Sequence, residues 1–362
     1  MKKGLKIIIL IIIIAILIFG GYKITENRKT TISKNNNSSE KSNMDIILSL
    51  EDKMSENSAW CGTFNLIWND LKNDLAKQDI VFTPQTEVVE NLNKGTFNTS
   101  KISDKSYYKV YGRPTLELKK QIENAIKEKF DETSDILDSF NWNNSGENDY
   151  FLYAMLKKEF EFPKVFTKFE NQKFGEYENV KYFGIDNTTD KQVRDQVKVL
   201  YYNSKEDFAI KLITKTDDEV IISKGNNASS FIEAYEKINE NSENYKGSKI
   251  LLENENVKIP NIDFKLEKDI DEVERKPFLF SDGREYQIDK ALQTIQFSLD
   301  EKGGKIKSEA GMMVKETAIL QPEEKREFIV DSAFCIFLKE KDKDLPYFAA
   351  QITDISQVQK LK

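Results

Sequence analysis

Phe297-Ser-Leu-Asp300-Glu301-Lys302-Gly303-Gly304 closes an apolar run that begins at Leu292, and Phe328-Ile-Val-Asp-Ser-Ala-Phe334-Cys-Ile-Phe-Leu338 opens another. Between them, Gly304 to Glu327 is mostly polar, with small residues in Ser308-Glu309-Ala310-Gly311. A charged turn, Lys339–Asp344, leads to a third apolar run, Tyr347-Phe-Ala-Ala-Gln-Ile-Thr353. Short apolar runs bounded by turn residues fit buried strands. Leu292–Leu299 is therefore expected as an inner strand of a large sheet. Phe328–Leu338 and Tyr347–Thr353 are expected as an antiparallel hairpin in another. Gly304–Glu327 has few apolar anchors and is predicted to be an exposed loop, with Gly303-Gly304 letting the backbone leave the strand freely. A loop this long in a compact domain is usually functional.

Upstream, the order of elements is mixed. Asp45–Glu56 and Ala59–Lys77 read as helical, the second with Phe64, Ile67, Trp68 and Leu71 on one face. Asp79–Thr86 reads as a short strand stopped by Pro84. Pro114 opens a helix over Leu116–Phe140, with Leu118, Ile122, Ile126 and Phe130 four apart. Tyr150–Leu156 reads as a central strand, and from Tyr177 the pattern turns to β. Val257–Leu266 is a strand interrupted at Pro260. Helices early and antiparallel strands late argue an α+β fold, helices packed on large mixed and antiparallel sheets.

At the N-terminus, Lys2, Lys3 and Lys6 precede an unbroken apolar run from Ile7 to Phe19. This flank predicts a membrane anchor or export signal over 1–22, with the remainder outside the cell. Residues 23–43 include Asn35-Asn-Asn-Ser-Ser39, too polar to offset chain entropy, and read as a disordered tether. The folded domain is expected over 44–362.

The 362 residues carry a net charge of −7 and no histidine. Without histidine there is no Ser-His-Asp triad, no Cys-His dyad and no His-ligated zinc. GxGxxG and the Walker loop are both absent, and Asp217-Asp218-Glu219 lacks the spacing of a calcium loop. An enzyme is the least favoured class, and no metal or cofactor is expected. No basic stripe points to nucleic acid. Cys61 and Cys335 sit in apolar settings. They read as two buried small side chains, although an exported protein leaves a disulfide open.

The closing segment resembles the signature of the serpin superfamily. Phe328-Ile-Val-Asp331-Ser332 and Phe334 to Leu338 follow it, departing at Ala333, where proline is usual, and at Cys335. Tyr347-Phe-Ala-Ala350-Gln-Ile352 is similar to the last strand, with Ala350 for glycine. Val257-Lys-Ile-Pro-Asn-Ile-Asp-Phe264 resembles the Pro-containing strand before the family's gate. Ile80-Val-Phe-Thr83-Pro84-Gln-Thr86 resembles the shutter, with Thr83 and Thr86 for serines, Gln293 in the histidine's place and Tyr153 in the asparagine's.

The resemblance implies a reactive loop entered through the hinge Glu301, Gly303 and Gly304. The loop continues through Lys305, Lys307, Ser308, Glu309, Ala310 and Gly311 to a scissile region near Lys315 and Thr317. It implies a monomeric inhibitor of serine or cysteine proteases, tethered at the cell surface, whose cut loop enters a sheet as a new strand. The segment from Pro84 to Tyr150 looks short for the family. Lys305 and Lys307 stand where small residues are wanted, and burying them oppose insertion. A non-inhibitory serpin-like binding or structural module is the second reading.

Overall fold

The computed structural model describes residues 44–143, 146–225, 227–305 and 325–361. The expected anchor and tether, 1–22 and 23–43, lie outside them. Among the described residues no helix is long and apolar enough to cross a membrane.

The chain opens with β1 (Asp45–Ile46) and β2 (Ser58–Cys61), then α1 (Thr63–Asp70), which runs on as a π-helical turn over Leu71–Ala76. Next come α2 (Glu87–Lys94), β3 (Tyr107–Gly112), α3 (Leu116–Phe130), β4 (Phe151–Leu156), β5 (Phe160–Glu161), β6 (Thr167–Phe174) and β7 (Tyr177–Ile185). The middle holds α4 (Lys191–Arg194), β8 (Val197–Ser204), β9 (Asp207–Ile213), β10 (Asp218–Lys224) and α5 (Phe231–Asn244). The last part is almost all strand. It comprises β11 (Asn256–Pro260), β12 (Ile262–Asp269), β13 (Pro277–Leu279), β14 (Glu285–Gln287), β15 (Leu292–Asp300), β16 (Gly303–Gly304), β17 (Glu327–Ile329), β18 (Phe334–Glu340) and β19 (Phe348–Ile352).

Among the described residues, a seven-stranded sheet runs β1-β2-β19-β18-β10-β9-β8, and two four-stranded sheets run β17-β11-β7-β6 and β12-β15-β16-β5. The ribbons β13-β14 and β3-β4 complete the fold, which is α+β as expected. Phe334 to Leu338 are all buried, since the closing hairpin lies inside the largest sheet and is covered on both faces. That hairpin pairs as expected, Phe334 opposite Ile352 and Leu338 opposite Phe348.

Helix α3 is capped by Thr115, whose hydroxyl accepts from Leu118 N at 3.2 Å. Its stripe of Leu118, Ile122 and Ile126 joins Leu137, Trp142, Phe151 and Tyr153 in a small core of its own. The ribbon β3-β4 therefore lies between α3 and the main core, with Phe151, Tyr153 and Met155 in the small core and Tyr107, Leu152, Ala154 and Leu156 against the main one.

Several expectations need correction. Asp45–Glu56 is not helical: it holds β1 and turns, because the chain here runs alongside β2. Residues 59–61 belong to β2, paired with β19. Asp79–Thr86 forms no strand. Helix α3 stops at Phe130, since Asp131 turns left-handed at φ 54°. The run Phe328–Leu338 divides, with Phe328 in β17, parallel to β11, and only Phe334 onward in the hairpin. Strand β15 is an inner strand, but its sheet has four strands. Strand β4 is no central strand, being paired with β3 alone.

Candidate functional site

Strand β15 places Ile295, Phe297 and Leu299 on its buried face and leaves Gln296 exposed. One edge pairs with β12 along its whole length, from Ile262 opposite Leu299 to Asp269 opposite Leu292. The other edge pairs only at its end, where Leu299 and Asp300 meet Gly304 and Gly303. Strand β4 likewise uses one edge, from Tyr107 opposite Leu156 to Gly112 opposite Phe151. Among the described residues no strand pairs with its other edge. A cleft of about 1130 Å³ lies between, walled by Phe151 to Glu159 on one side and Asp289 to Gln293 on the other. Two unpaired strand edges in one cleft form a site for an added strand.

The head of the cleft is closed by β16. It lies antiparallel between β15 and β5, with Gly303 opposite Glu161 and Gly304 opposite Phe160. The lintel is fastened by Phe162 N donating to Lys302 O at 2.8 Å and Phe166 N donating to Glu301 O at 2.9 Å. Gly303 has φ 150°, and a side chain there would run into the Phe160 carbonyl. A Cβ on Gly304 would come within 2.8 Å of Ser298 O. Both residues are buried, so they begin an inserted strand rather than a departing loop. This corrects the expectation that the exposed segment starts at Gly304. At its far end Arg326 is buried as well, held by Glu255 at 2.6 Å.

Glu301 is buried beside the lintel and pairs with Lys168 at 2.8 Å. Burial raises its carboxyl, but the hydrogen bond and charge of Lys168 outweigh burial and leave it below its ordinary value. Lys305, the next residue after β16, is exposed and lines the cleft. Lys307, Ser308, Glu309, Ala310, Gly311, Lys315 and Thr317 lie outside the described residues.

The shutter-like residues are not brought together. Gln293 Nε2 donates to Cys61 O at 3.1 Å and to Thr63 Oγ1 at 3.0 Å, while its buried Oε1 has no partner among the described residues. Thr83 is exposed, and the buried Thr86 Oγ1 likewise lacks a partner. Tyr153 is buried against α3, which pushes its hydroxyl up to about 12. Gln85 does the local work instead, accepting from Phe82 N at 3.0 Å and donating to Ile80 O at 3.2 Å. The roles of Thr63 and Gln85 carry no signal in the sequence, as each depends on a backbone group brought in by folding.

Cys61 and Cys335 are both unpaired. They lie on β2 and β18 with β19 between them, so their Cα atoms are about 9 Å apart or more, too far for a disulfide. Burial pushes the Cys335 thiol up to about 12.

No family model matches the chain. No curated protein matches it by sequence. Solved structures do. A thyroxine-binding globulin complex with thyroxine is 12% identical and aligns over 83% of this chain and 93% of that one, with a TM-score of 0.47. Serpin48 from the insect Tenebrio molitor, described as a highly specific serpin, is 14% identical over 70% of this chain and 78% of its own, TM-score 0.37. The thermophilic serpin Tengpin in its native state is 14% identical over 67% and 64%, TM-score 0.39. Each is a distant likeness, at 12–14% identity and with a TM-score below 0.5.

Proposed function

We propose that the chain is a surface-tethered protease inhibitor that works by strand insertion. A target serine or cysteine protease cuts the segment between Gly304 and Lys325, and the freed end runs down the cleft between β4 and β15. The observation that carries this reading is β16, whose two glycines at the head of that cleft already pair with β15, one wall, and with β5, the strand that follows the other wall in the chain.

Its register answers the objection raised by the lysines. Antiparallel partners point to the same face of a sheet. Extending the pairing of Gly304 with Leu299 would set Lys305 against Ser298 and Lys307 against Gln296, on the outer face. Ile306 would lie against Phe297 and Ser308 against Ile295, on the buried one. Ala310, Met312 and Val314 continue the inward series. From Lys305 to Ala310 the segment thus alternates charged with small or apolar residues at the period of a half-buried strand. The lysines would stay in water.

A second reading, a non-inhibitory surface module, is supported by the shutter. With Tyr153 drawn under α3, Gln293 Oε1 has no group from β4 to bind, so nothing there draws the two walls together. In either reading residues 1–22 hold the domain at the outer face of the cell membrane, or are removed to release it, and the domain acts as a monomer.

The experiment is limited cleavage of the segment by a trace of trypsin, followed by thermal unfolding. Insertion adds hydrogen bonds along two strand edges and should raise the midpoint by at least about 10 °C. One kcal/mol moves a domain of this size by only about 2–4 °C, so a rise that large needs many new contacts. A serine protease cutting the same segment should be retained as a detergent-resistant complex. An unchanged midpoint and a freely released protease would leave the non-inhibitory reading standing.

A further inference from the structure

The two ends of the cleft are closed in different ways. At the head, β16 closes it with backbone pairing to β15 and β5. At the opposite end, the foot, side chains reach across. Arg284 Nη1 donates to Asn148 Oδ1 at 3.0 Å, and the Tyr150 ring meets those of Phe280 and Tyr286, each at 6.3 Å. The Arg284 guanidinium also lies over the Tyr286 ring at 5.8 Å, so these side chains form one joined group. Lys290 adds a second rail, its ammonium 6.0 Å from the centre of the Phe140 ring.

Each end of this bar is rooted in a different core. Tyr286 stacks on Phe280 at 3.9 Å, and Phe280 meets Phe278 at 6.0 Å, both buried in the main core. On the other side Tyr150 directly precedes Phe151, which meets Phe140 at 5.0 Å and Trp142 at 4.6 Å in the small core under α3. The bar also stands at one level on both walls. At the lintel Gly303 faces Glu161 on one side and Asp300 on the other. The step from Glu161 back to Tyr150 equals the step from Asp300 back to Asp289, the neighbour of Lys290.

We infer that the bar is a stop: a strand entering from the lintel runs down the cleft as far as Tyr150 and Arg284 and halts there, with the rest of the freed chain left outside. This inference rests on the strand-insertion reading. A strand between two others needs walls about 9.5 Å apart, twice the ordinary spacing. Rings whose centres lie 6.3 Å apart leave no such gap. In the register of the lintel, Gly311 would face Leu292 and Val314 would face Asp289, so entry ends between them. Residues past the stop, with any protease they carry, stay outside the sheet.

The test is a cut at the far end of the segment, read by hydrogen exchange and mass spectrometry. Leu320 is the one leucine or aromatic residue between Lys305 and Lys325, so a trace of chymotrypsin frees most of the segment. Amides from Ile306 to Gly311 are expected to exchange at least about tenfold more slowly after the cut, and those from Lys315 to Leu320 at an unchanged rate. In a double variant, Arg284→Ala with Tyr150→Ala, the slowing should extend to Lys315 and beyond. Arg284 is 49% exposed and Tyr150 40%, so the uncut double variant should unfold close to the parent. Arg275→Ala, at an exposed arginine paired with Glu274 away from the cleft, should leave the limit where it is. Slowing that reaches Lys315 in the parent, or one and the same limit in parent and double variant, overturns the stop alone. No slowing anywhere in the cut segment overturns strand insertion, and the stop with it.

Discussion

Gly303 and Gly304 show what one residue decides at the head of the cleft. The pair stands out in the sequence, but glycine serves equally for leaving a strand and for pressing backbone against backbone. Which applies depends on the Phe160 carbonyl, far away in the chain, and no local pattern announces it. Two buried strand positions with no room for Cβ make the prediction definite. Gly303→Ala should cost about 2–4 kcal/mol, combining backbone strain at positive φ with displacement of β5. Gly283 provides the comparison: its φ is 82° with nothing near its missing Cβ. Gly283→Ala should therefore cost only about 1 kcal/mol. Chemical denaturation of both variants checks this, and equal losses would show that close approach at the lintel is not the cause. Gln293 was legible as a polar residue on a buried strand, whereas its donation to Cys61 O and Thr63 Oγ1 was not.

At the scale of elements, legibility followed periodicity. The four-residue spacing of Leu118, Ile122 and Ile126 located α3, and the apolar density of Phe334–Leu338 and Tyr347–Ile352 located the central hairpin. Ends and partners were harder to read. Nothing in composition separates Ile329 from Phe334, although the chain changes sheets between them and Asp331 turns aside to Lys224 at 2.6 Å. Strand β4 looks like any buried strand, and only its single partner reveals that it forms a cleft wall. That wall depends on α3, so the two should fail together. Ile122 is fully buried in the small core. Ile122→Ala should cost about 2–4 kcal/mol there. Hydrogen exchange should quicken in β3 and β4 well before it does in β18, since one face of the ribbon rests on the small core and β18 packs only in the main one. Uniform quickening across both would mean that the ribbon is not a distinct unit.

For the whole molecule, the issue is whether two open edges and one alternating segment make a machine. The strand-insertion reading stands on facing, and facing can be reversed one residue at a time. In the register begun by β16, Ile306 would sit inward against Phe297, and its neighbour Lys307 outward against Gln296. A carboxylate at the inward position would be buried without a partner, a cost of several kcal/mol. At the outward position it would remain solvated. Ile306→Asp should therefore remove most of the midpoint rise that follows cleavage, while Lys307→Asp should leave it nearly intact. Both changes fall in the segment that is cut, so each uncut protein should unfold close to the parent, and any difference belongs to the cut form. Thermal unfolding before and after trace proteolysis reads the contrast directly. The composition of the segment alone predicts no such contrast, because both variants place a carboxylate within the same two adjacent residues, and Lys307→Asp makes the larger change in net charge. Equal loss in the two would show that the chain does not continue down the cleft in the register of Gly303 and Gly304, and strand insertion would then lose its support.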